Sequence, residues 1–256
     1  MRTIAVTGSA SGIGAALRQR LENEGDRVIG IDIRDAEVVV DLGHPAGRAA
    51  AVEQVVLASG CTLDGLVACA GVGPQIEPTA TIVSINYFGA MELLAALRPL
   101  LQNGTAPAAV AVSSNSATIV PGADGELCDA CLASDESEAR RLADAANGSL
   151  VYASSKLALA RWVRQQAVTG DWAGSGIRLN AIAPGAVQTP LLQAGLDHPL
   201  YGMAIRSFPI PLGSFGGSDQ IAAAIRFLLS EEAGFCCGSV LFVDGGSDAL
   251  VRSQRF

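Results

Sequence analysis

Thr7-Gly8-Ser9-Ala10-Ser11-Gly12-Ile13-Gly14 stands between an apolar run, Ile4–Thr7, and a stretch with helical spacing, Gly14–Glu24. Glycine at three of these positions lets the chain leave a strand, turn sharply and bring its backbone close to another group. The free N–H groups at the start of the helix, with the positive end of its dipole, then make a seat for a diphosphate. The GxxxGxG spacing alone says little, because plain tight turns show it too. Its context decides: Asp32 closes the second apolar run, 18 residues beyond Gly14. A carboxylate there accepts hydrogen bonds from adenosine ribose hydroxyls and repels a 2′-phosphate. The pattern predicts a dinucleotide site that takes NAD, with Arg34 as the neighbouring cation that would instead favour NADP.

Outward from this turn, short apolar runs alternate with helical patterns. Ile4–Thr7, Val28–Ile31, Val38–Leu42, Leu63–Cys69, Ala108–Ser113, Ile177–Ala183 and Ser239–Val243 read as strands buried on both faces. Gly14–Glu24, Ala46–Ala58, Ile85–Leu101, Tyr152–Gly170 and Ser218–Leu229 read as helices, the last with Ser218 as its N-cap. Strand–helix–strand repetition predicts an α/β fold: a doubly wound, Rossmann-like parallel sheet in a single domain over residues 1–256. One segment breaks the rhythm. Residues 115–150 carry Asp124, Glu126, Asp129, Asp135, Glu136, Glu138 and Asp144 against Arg140 and Arg141, with a helix start near Ser134 and a stop at Gly148. A surface excursion explains it, and so does a lid or a subunit contact.

Composition bounds the function. Half of the 256 residues are hydrophobic and 16% are charged, which excludes a disordered or collagen-like chain. A net charge of −8 argues against nucleic acid as a partner. The N-terminal apolar run is too short for a signal peptide, and no stretch suggests the roughly 20 apolar residues needed to span a bilayer. The expectation is a soluble, cytoplasmic protein without a membrane partner. Cys128-Asp129-Ala130-Cys131 is formally a CxxC, but no second pair or ligand-spaced histidine accompanies it. Buried apolar cysteines and no metal are expected. Among 17 basic residues, Lys156 is the single lysine.

That lysine lies four residues after Tyr152, on the same face of a helix. A phenol ordinarily titrates near 10, too high for acid/base work at neutral pH. A cation about 4 Å away stabilises the phenolate by on the order of 4 kcal/mol at an effective dielectric near 20. The spacing therefore predicts a Tyr152 pKa drawn down into a catalytic range.

Together these segments resemble the short-chain dehydrogenase/reductase family. The matching pieces follow one another in the family's order: Thr7–Gly14, Asp32, Asp41-Leu42, Ala68–Gly71, Asn86, Ser113-Ser114, Tyr152–Lys156, Pro184–Thr189 and Val243–Gly246. The resemblance implies a hydride-transfer site of Asn86, Ser114, Tyr152 and Lys156. In it Tyr152 exchanges a proton with the substrate oxygen, and Ser114, with Ser113 as its competitor, hydrogen-bonds that oxygen. Lys156 holds the nicotinamide ribose, and Asn86 supports a water that relays protons to Lys156. It further implies that Gly8, Ser9, Ala10, Ser11, Gly12, Ile13 and Gly14 hold the diphosphate, that Asp41 and Leu42 read the adenine, and that Ala70-Gly71 lies beside the adenosine ribose. The resemblance implies too that Pro184, Gly185, Val187 and Thr189 hold the nicotinamide carboxamide. Ala68-Cys69 departs from the family's usual asparagine pair.

Two larger departures narrow the resemblance. Asp32 and Asp41 are nine residues apart, too few for a helix between the second and third strands, and 38 residues separate Ser114 from Tyr152. A missing helix with a long insert resembles the bacterial 3α-hydroxysteroid dehydrogenase/carbonyl reductases and implies a homodimer. Between Thr189 and Gly217, Leu191, Leu192, Leu196, Met203, Ile205, Phe208 and Ile210 suggest an apolar lid suited to a steroid or another hydrophobic carbonyl substrate. Reduction of a 3-oxoacyl thioester and a catalytically silent dinucleotide-binding regulator stand as alternatives.

Overall fold

Short runs of Val, Ile, Leu and Ala form the strands, and their two faces feed two different cores. In β1 (Thr3–Thr7), Ile4 and Val6 pack into one apolar cluster and Ala5 into the other, as the two-residue period of a strand dictates. The computed structural model describes Met1–Arg255. With β2 (Arg27–Asp32), β3 (Val38–Val39), β4 (Gly65–Ala68), β5 (Ala108–Val112) and β6 (Arg178–Pro184), β1 belongs to a seven-stranded parallel sheet. After the small pair β7 (Val187–Gln188) and β8 (Gly216–Gly217), the sheet is completed by β9 (Val240–Val243), in the order β3-β2-β1-β4-β5-β6-β9. The chain winds outward in both directions from the β1–β4 junction, where parallel sheets of this kind open a crevice. The expected doubly wound fold is present. The third strand is shorter than expected: after Val39 the chain turns, and Gly43 N donates to the Asp41 carboxylate (2.8 Å).

Two helices, α1 (Gly12–Asn23) and α11 (Ser218–Leu229), supply Leu17, Leu21, Ile221 and Ile225 to one core. Gly217, not Ser218, is the N-cap of α11. The Gln220 side chain accepts from Gly217 N (2.8 Å), while the Ser218 hydroxyl donates to the Gln188 carbonyl (3.0 Å). The other core lies under α2 (Pro45–Ser59) and a helix that runs without interruption from Ala80 to Leu101. This helix begins as α3 (Ala80–Val83), opens into a π turn at Ser84–Gly89 and continues as α4 (Ala90–Leu101). The sequence reading starts it only at Ile85. Its true start has no local cap: the Asp144 carboxylate, 64 residues on, accepts from Ala80 N (3.0 Å). With 22 residues and a mean hydropathy of 1.5 over an 18-residue stretch, it is long and apolar enough to cross a membrane, contrary to expectation. Here it is an interior helix, with Tyr87, Phe88, Leu93 and Leu97 in the core.

The acidic segment is no surface excursion. It folds into α5 (Ser116–Ile119), α6 (Glu126–Leu132) and α7 (Glu136–Asp144), which bury Leu127, Cys128, Cys131, Ala139 and Ala143. Its charges dominate the sequence pattern, while its inward face, Leu127 apart, uses small, inconspicuous side chains. Gly148 does not end α7. It opens α8 (Gly148–Ala167), where Asn147 caps by accepting from Leu150 N (3.0 Å), and a Cβ at Gly148 would lie 1.9 Å from the Pro74 carbonyl oxygen.

Candidate active site

A cleft of about 780 Å³ lies across the carboxyl ends of the strands. Its floor begins at the glycine turn. Gly8 adopts a left-handed φ of +69°, and a Cβ there would sit 2.8 Å from Ala70 Cα. A Cβ on Gly14 would meet the Gly8 carbonyl oxygen at 2.1 Å. Thr7 ties this turn to the loop after β4, its hydroxyl oxygen accepting from both Cys69 N and Ala70 N at 2.9 Å. Gly8, Ser11, Gly12, Ile13 and Gly14 line the cleft, whereas Ser9 and Ala10 do not. Ser9 is buried with an unpartnered hydroxyl, and Ala10 N donates to Asp32 Oδ2 (2.9 Å). Ile33 N donates to the other Asp32 oxygen (2.7 Å), so the carboxylate is held in place at the cleft wall beside Arg34.

Ser114, Tyr152 and Lys156 converge where β5 ends against α8. Lys156 is 4% exposed and donates from Nζ to the Val112 carbonyl (2.9 Å). Burial lowers its pKa to about 8, with the nearby Cys69 as a small opposing influence. Its Nζ lies 5.9 Å from the centre of the Tyr152 ring. The expectation that this cation draws the phenol down is not met: burial holds the Tyr152 pKa above its ordinary value, and hydrogen bonding by Ser114 is the counterweight. Burial likewise pushes the Cys69 thiol up to about 12. The Ser113 hydroxyl donates to the Lys156 carbonyl (2.7 Å), whereas the Ser114 hydroxyl bonds Tyr152 and accepts from Ser116 N (3.2 Å). Asn86 sits behind the cleft wall, fully buried on the π turn. Its Oδ1 accepts from Val72 N (2.8 Å) and its Nδ2 donates to the Val72 carbonyl (3.0 Å), so its amide holds the loop that follows Gly71.

Asp41, Leu42, Ala70, Gly71, Pro184, Gly185, Val187 and Thr189 all line the cleft, as do Leu191, Leu192, Ile205 and Phe208 of the expected lid. Thr189 caps α9 (Pro190–Asp197) by accepting from Leu192 N (3.1 Å), and α10 (Gly202–Ser207) follows. Leu196 and Met203 are not at the wall, and Ile210 faces a smaller cavity with Phe208 and Arg206. Sequence reasoning missed Pro74, Ile119, Val120, Pro121 and Tyr201, which complete the apolar wall. They come from the end of α5 and the turn after it and from two other loops, and carry no periodic signal. A carboxylate at one end of the cleft, a cradle a Cβ would fill, and a Ser–Tyr–Lys cluster beyond it fit a nicotinamide dinucleotide. Among the described residues no group of His, Cys, Asp and Glu is placed to hold a metal, and Cys128 and Cys131 are packed in the core.

Family models match the chain in two parts: short chain dehydrogenase over residues 2–123 and Enoyl-(Acyl carrier protein) reductase over residues 131–248. The chain is 44% identical to the 3-alpha-hydroxysteroid dehydrogenase/carbonyl reductase of Comamonas testosteroni, over 100% of both proteins. It belongs to the short-chain dehydrogenase/reductase family. A second member, the cis-4-hydroxycyclohexanecarboxylate dehydrogenase of Sinomonas cyclohexanicum, is 34% identical over 97% of each protein. The fold of this short-chain dehydrogenase matches a crystal structure of the 3-alpha-hydroxysteroid dehydrogenase from Pseudomonas sp. B-0831 complexed with NADH. The TM-score is 0.97 at 49% identity, covering 99% of this chain and 100% of that one.

Proposed function

We propose that this short-chain dehydrogenase transfers a hydride between NAD(H) and the 3α-hydroxyl or 3-oxo group of steroids and other apolar carbonyl compounds. The observation that carries the reading is the convergence of Ser114, Tyr152 and Lys156 in a cleft whose outer wall is Val72, Ile119, Val120, Leu191, Leu192 and Phe208. The full-length likeness to two 3-alpha-hydroxysteroid dehydrogenases supports the substrate class over a carrier-bound thioester. The glycine turn, Asp32, Leu42, Gly71 and Lys156 would hold the dinucleotide, whose nicotinamide supplies or accepts the hydride. Asp32 favours NAD, because its fixed carboxylate would repel a 2′-phosphate.

Tyr152 gives a proton to the oxygen of a ketone during reduction and takes one from an alcohol during oxidation. A phenol held above its ordinary pKa is protonated at neutral pH and ready to act as the acid. Ser114 donates a hydrogen bond to the same oxygen. Lys156 binds ribose hydroxyls through its ammonium and adds the positive potential that favours charge on the phenol. Asn86 acts through Val72, keeping the Gly71–Val72 loop at its distance from Lys156. The reading includes a homodimer, supported by apolar side chains exposed on α11, on β9 and on α12 (Ser247–Val251), among them Phe227, Leu241 and Leu250. Incubation with a 3α-hydroxysteroid such as androsterone and NAD should raise the NADH absorbance, with NADP a poorer acceptor. A higher kcat/KM for a 3-oxoacyl thioester than for the 3-oxosteroid would overturn the substrate assignment.

A further inference from the structure

Arg48 is the most deeply buried arginine side chain among the described ion pairs, 2% exposed on α2, and its three bonding directions reach three different parts of the fold. Its Nε donates to Glu92 of α4 (2.7 Å) and its Nη2 to Glu136 of α7. Its Nη1 faces the carbonyl of Leu42, a residue of the nucleotide cleft (3.4 Å). A guanidinium cannot shed its proton to escape burial, so these partners are what make the position tolerable. Glu136 does more than neutralise it. Its Oε1 accepts from the Ser84 hydroxyl (2.9 Å), and Ser84 in turn accepts from Arg140 of the same α7 (2.6 Å).

Ser84 is fully buried and opens the π turn that carries Asn86. A π turn closes one residue later than an α turn and resets the facing of the residues beyond it, so the place where it is pinned decides where Asn86 points. α7 grips this helix a second time at its start. Asp144 accepts from Ala80 N, and the Thr79 hydroxyl donates to the Ala143 carbonyl (2.8 Å).

We propose that Arg48 and Glu136 are positioning residues through which the 115–150 insert holds both ends of the active site: the Leu42 loop through Arg48, and the Asn86 turn through Ser84. The proposal rests on the reading of the cleft as an NAD(H) site. It gives the insert a task other than covering substrate or contacting a second subunit, and it separates into two branches. Arg48→Lys keeps the charge but cannot span two carboxylates and a carbonyl, so it loosens the nucleotide branch. Ser84→Ala cuts only the branch to the π turn.

NADH dissociation constants from fluorescence titration, taken with steady-state kinetics and thermal melts, test both branches. Misplacement of about 1 Å from a remote change can cost up to about 100-fold in rate, and a partial loosening should give roughly tenfold effects. Arg48→Lys should raise the NADH Kd about tenfold while kcat at saturation changes by less than about twofold. Ser84→Ala should lower kcat about tenfold with the Kd within about twofold, and Glu136→Gln should show both effects. Glu138→Gln, which alters only the exposed pair with Arg141, should show neither. Lower melting temperatures with wild-type Kd and kcat per folded molecule would overturn the proposal and reduce the network to structural support. If Arg48→Lys does not fold, a Ser84→Ala or Glu136→Gln protein with wild-type kcat overturns it equally. Absence of NADH binding in the wild type would instead overturn the cofactor reading on which it stands.

Discussion

Lys156 is the one basic position that arginine does not occupy, and its surroundings say why. The site buries the group, binds its Nζ to the Val112 carbonyl and lowers its pKa to about 8. A planar guanidinium fits no such compact pocket and would stay charged there at any accessible pH. Below about pH 8 the ammonium is present to bind ribose hydroxyls, and above it the amine is neutral. The kcat/KM for NADH, which reports groups of the free enzyme, should be level up to about pH 7.5 and fall as the pH passes 8. A profile level to pH 9.5 would contradict this. The same shift has a stability consequence. The unfolded chain keeps this lysine protonated up to about 10.5 and the folded chain only to about 8, so its charge costs the fold about 3 kcal/mol at neutral pH. This cost is full below pH 8 and fades as the pH rises towards 10.5. After about 1 kcal/mol for the lost Val112 hydrogen bond, Lys156→Met should be about 2 kcal/mol more stable than the wild type in urea at pH 7. The gap should narrow towards pH 10, and a less stable Met variant at pH 7 would refute a burial cost at this position. The tyrosine–lysine spacing was legible in the sequence. The balance at Tyr152 was not, because burial is a property of the assembled cleft and outweighs the charge four residues away.

Among the elements, the glycine turn leaves no room for a side chain. A Cβ at Gly14 would lie 2.1 Å from the Gly8 carbonyl oxygen, backbone against backbone, so no side-chain adjustment relieves it. Gly14→Ala should cost about 1–3 kcal/mol in a denaturant melt, as overpacking does, and weaken NADH binding by more than about tenfold. Retention of both would show that the turn is not the diphosphate seat. Strands were readable because their apolar runs are short and bounded by turn residues. The start of α3 was not, because Asp144 caps it from another helix. The insert misled for a related reason: Ala139, Ala143 and Cys131 make its buried face, and small residues give little contrast against seven acids.

Over the full chain, the parallel order of strands puts the glycine turn, the β4 loop, Ser114 and Pro184 at one edge of the sheet, although they are widely spread in sequence. That convergence is what the spaced motifs foretold. The substrate wall was only half legible. Leu191, Leu192, Ile205 and Phe208 stood out as an apolar run, whereas Ile119, Val120 and Pro121, at the start of an acidic segment, line the cleft without any such pattern. The cleft would hold cofactor and substrate together, and its outer wall of Val72, Ile119, Val120, Leu191, Leu192 and Phe208 suits a rigid polycyclic alcohol better than a small polar one. Proton exchange by Tyr152 in an NAD-dependent steroid oxidation is open to one decisive measurement, the activity of Tyr152→Phe. Initial rates of NADH formation with androsterone should fall by at least about 100-fold, while NADH binding stays within about twofold of the wild type. Wild-type turnover in that variant would contradict the proposed role of the phenol.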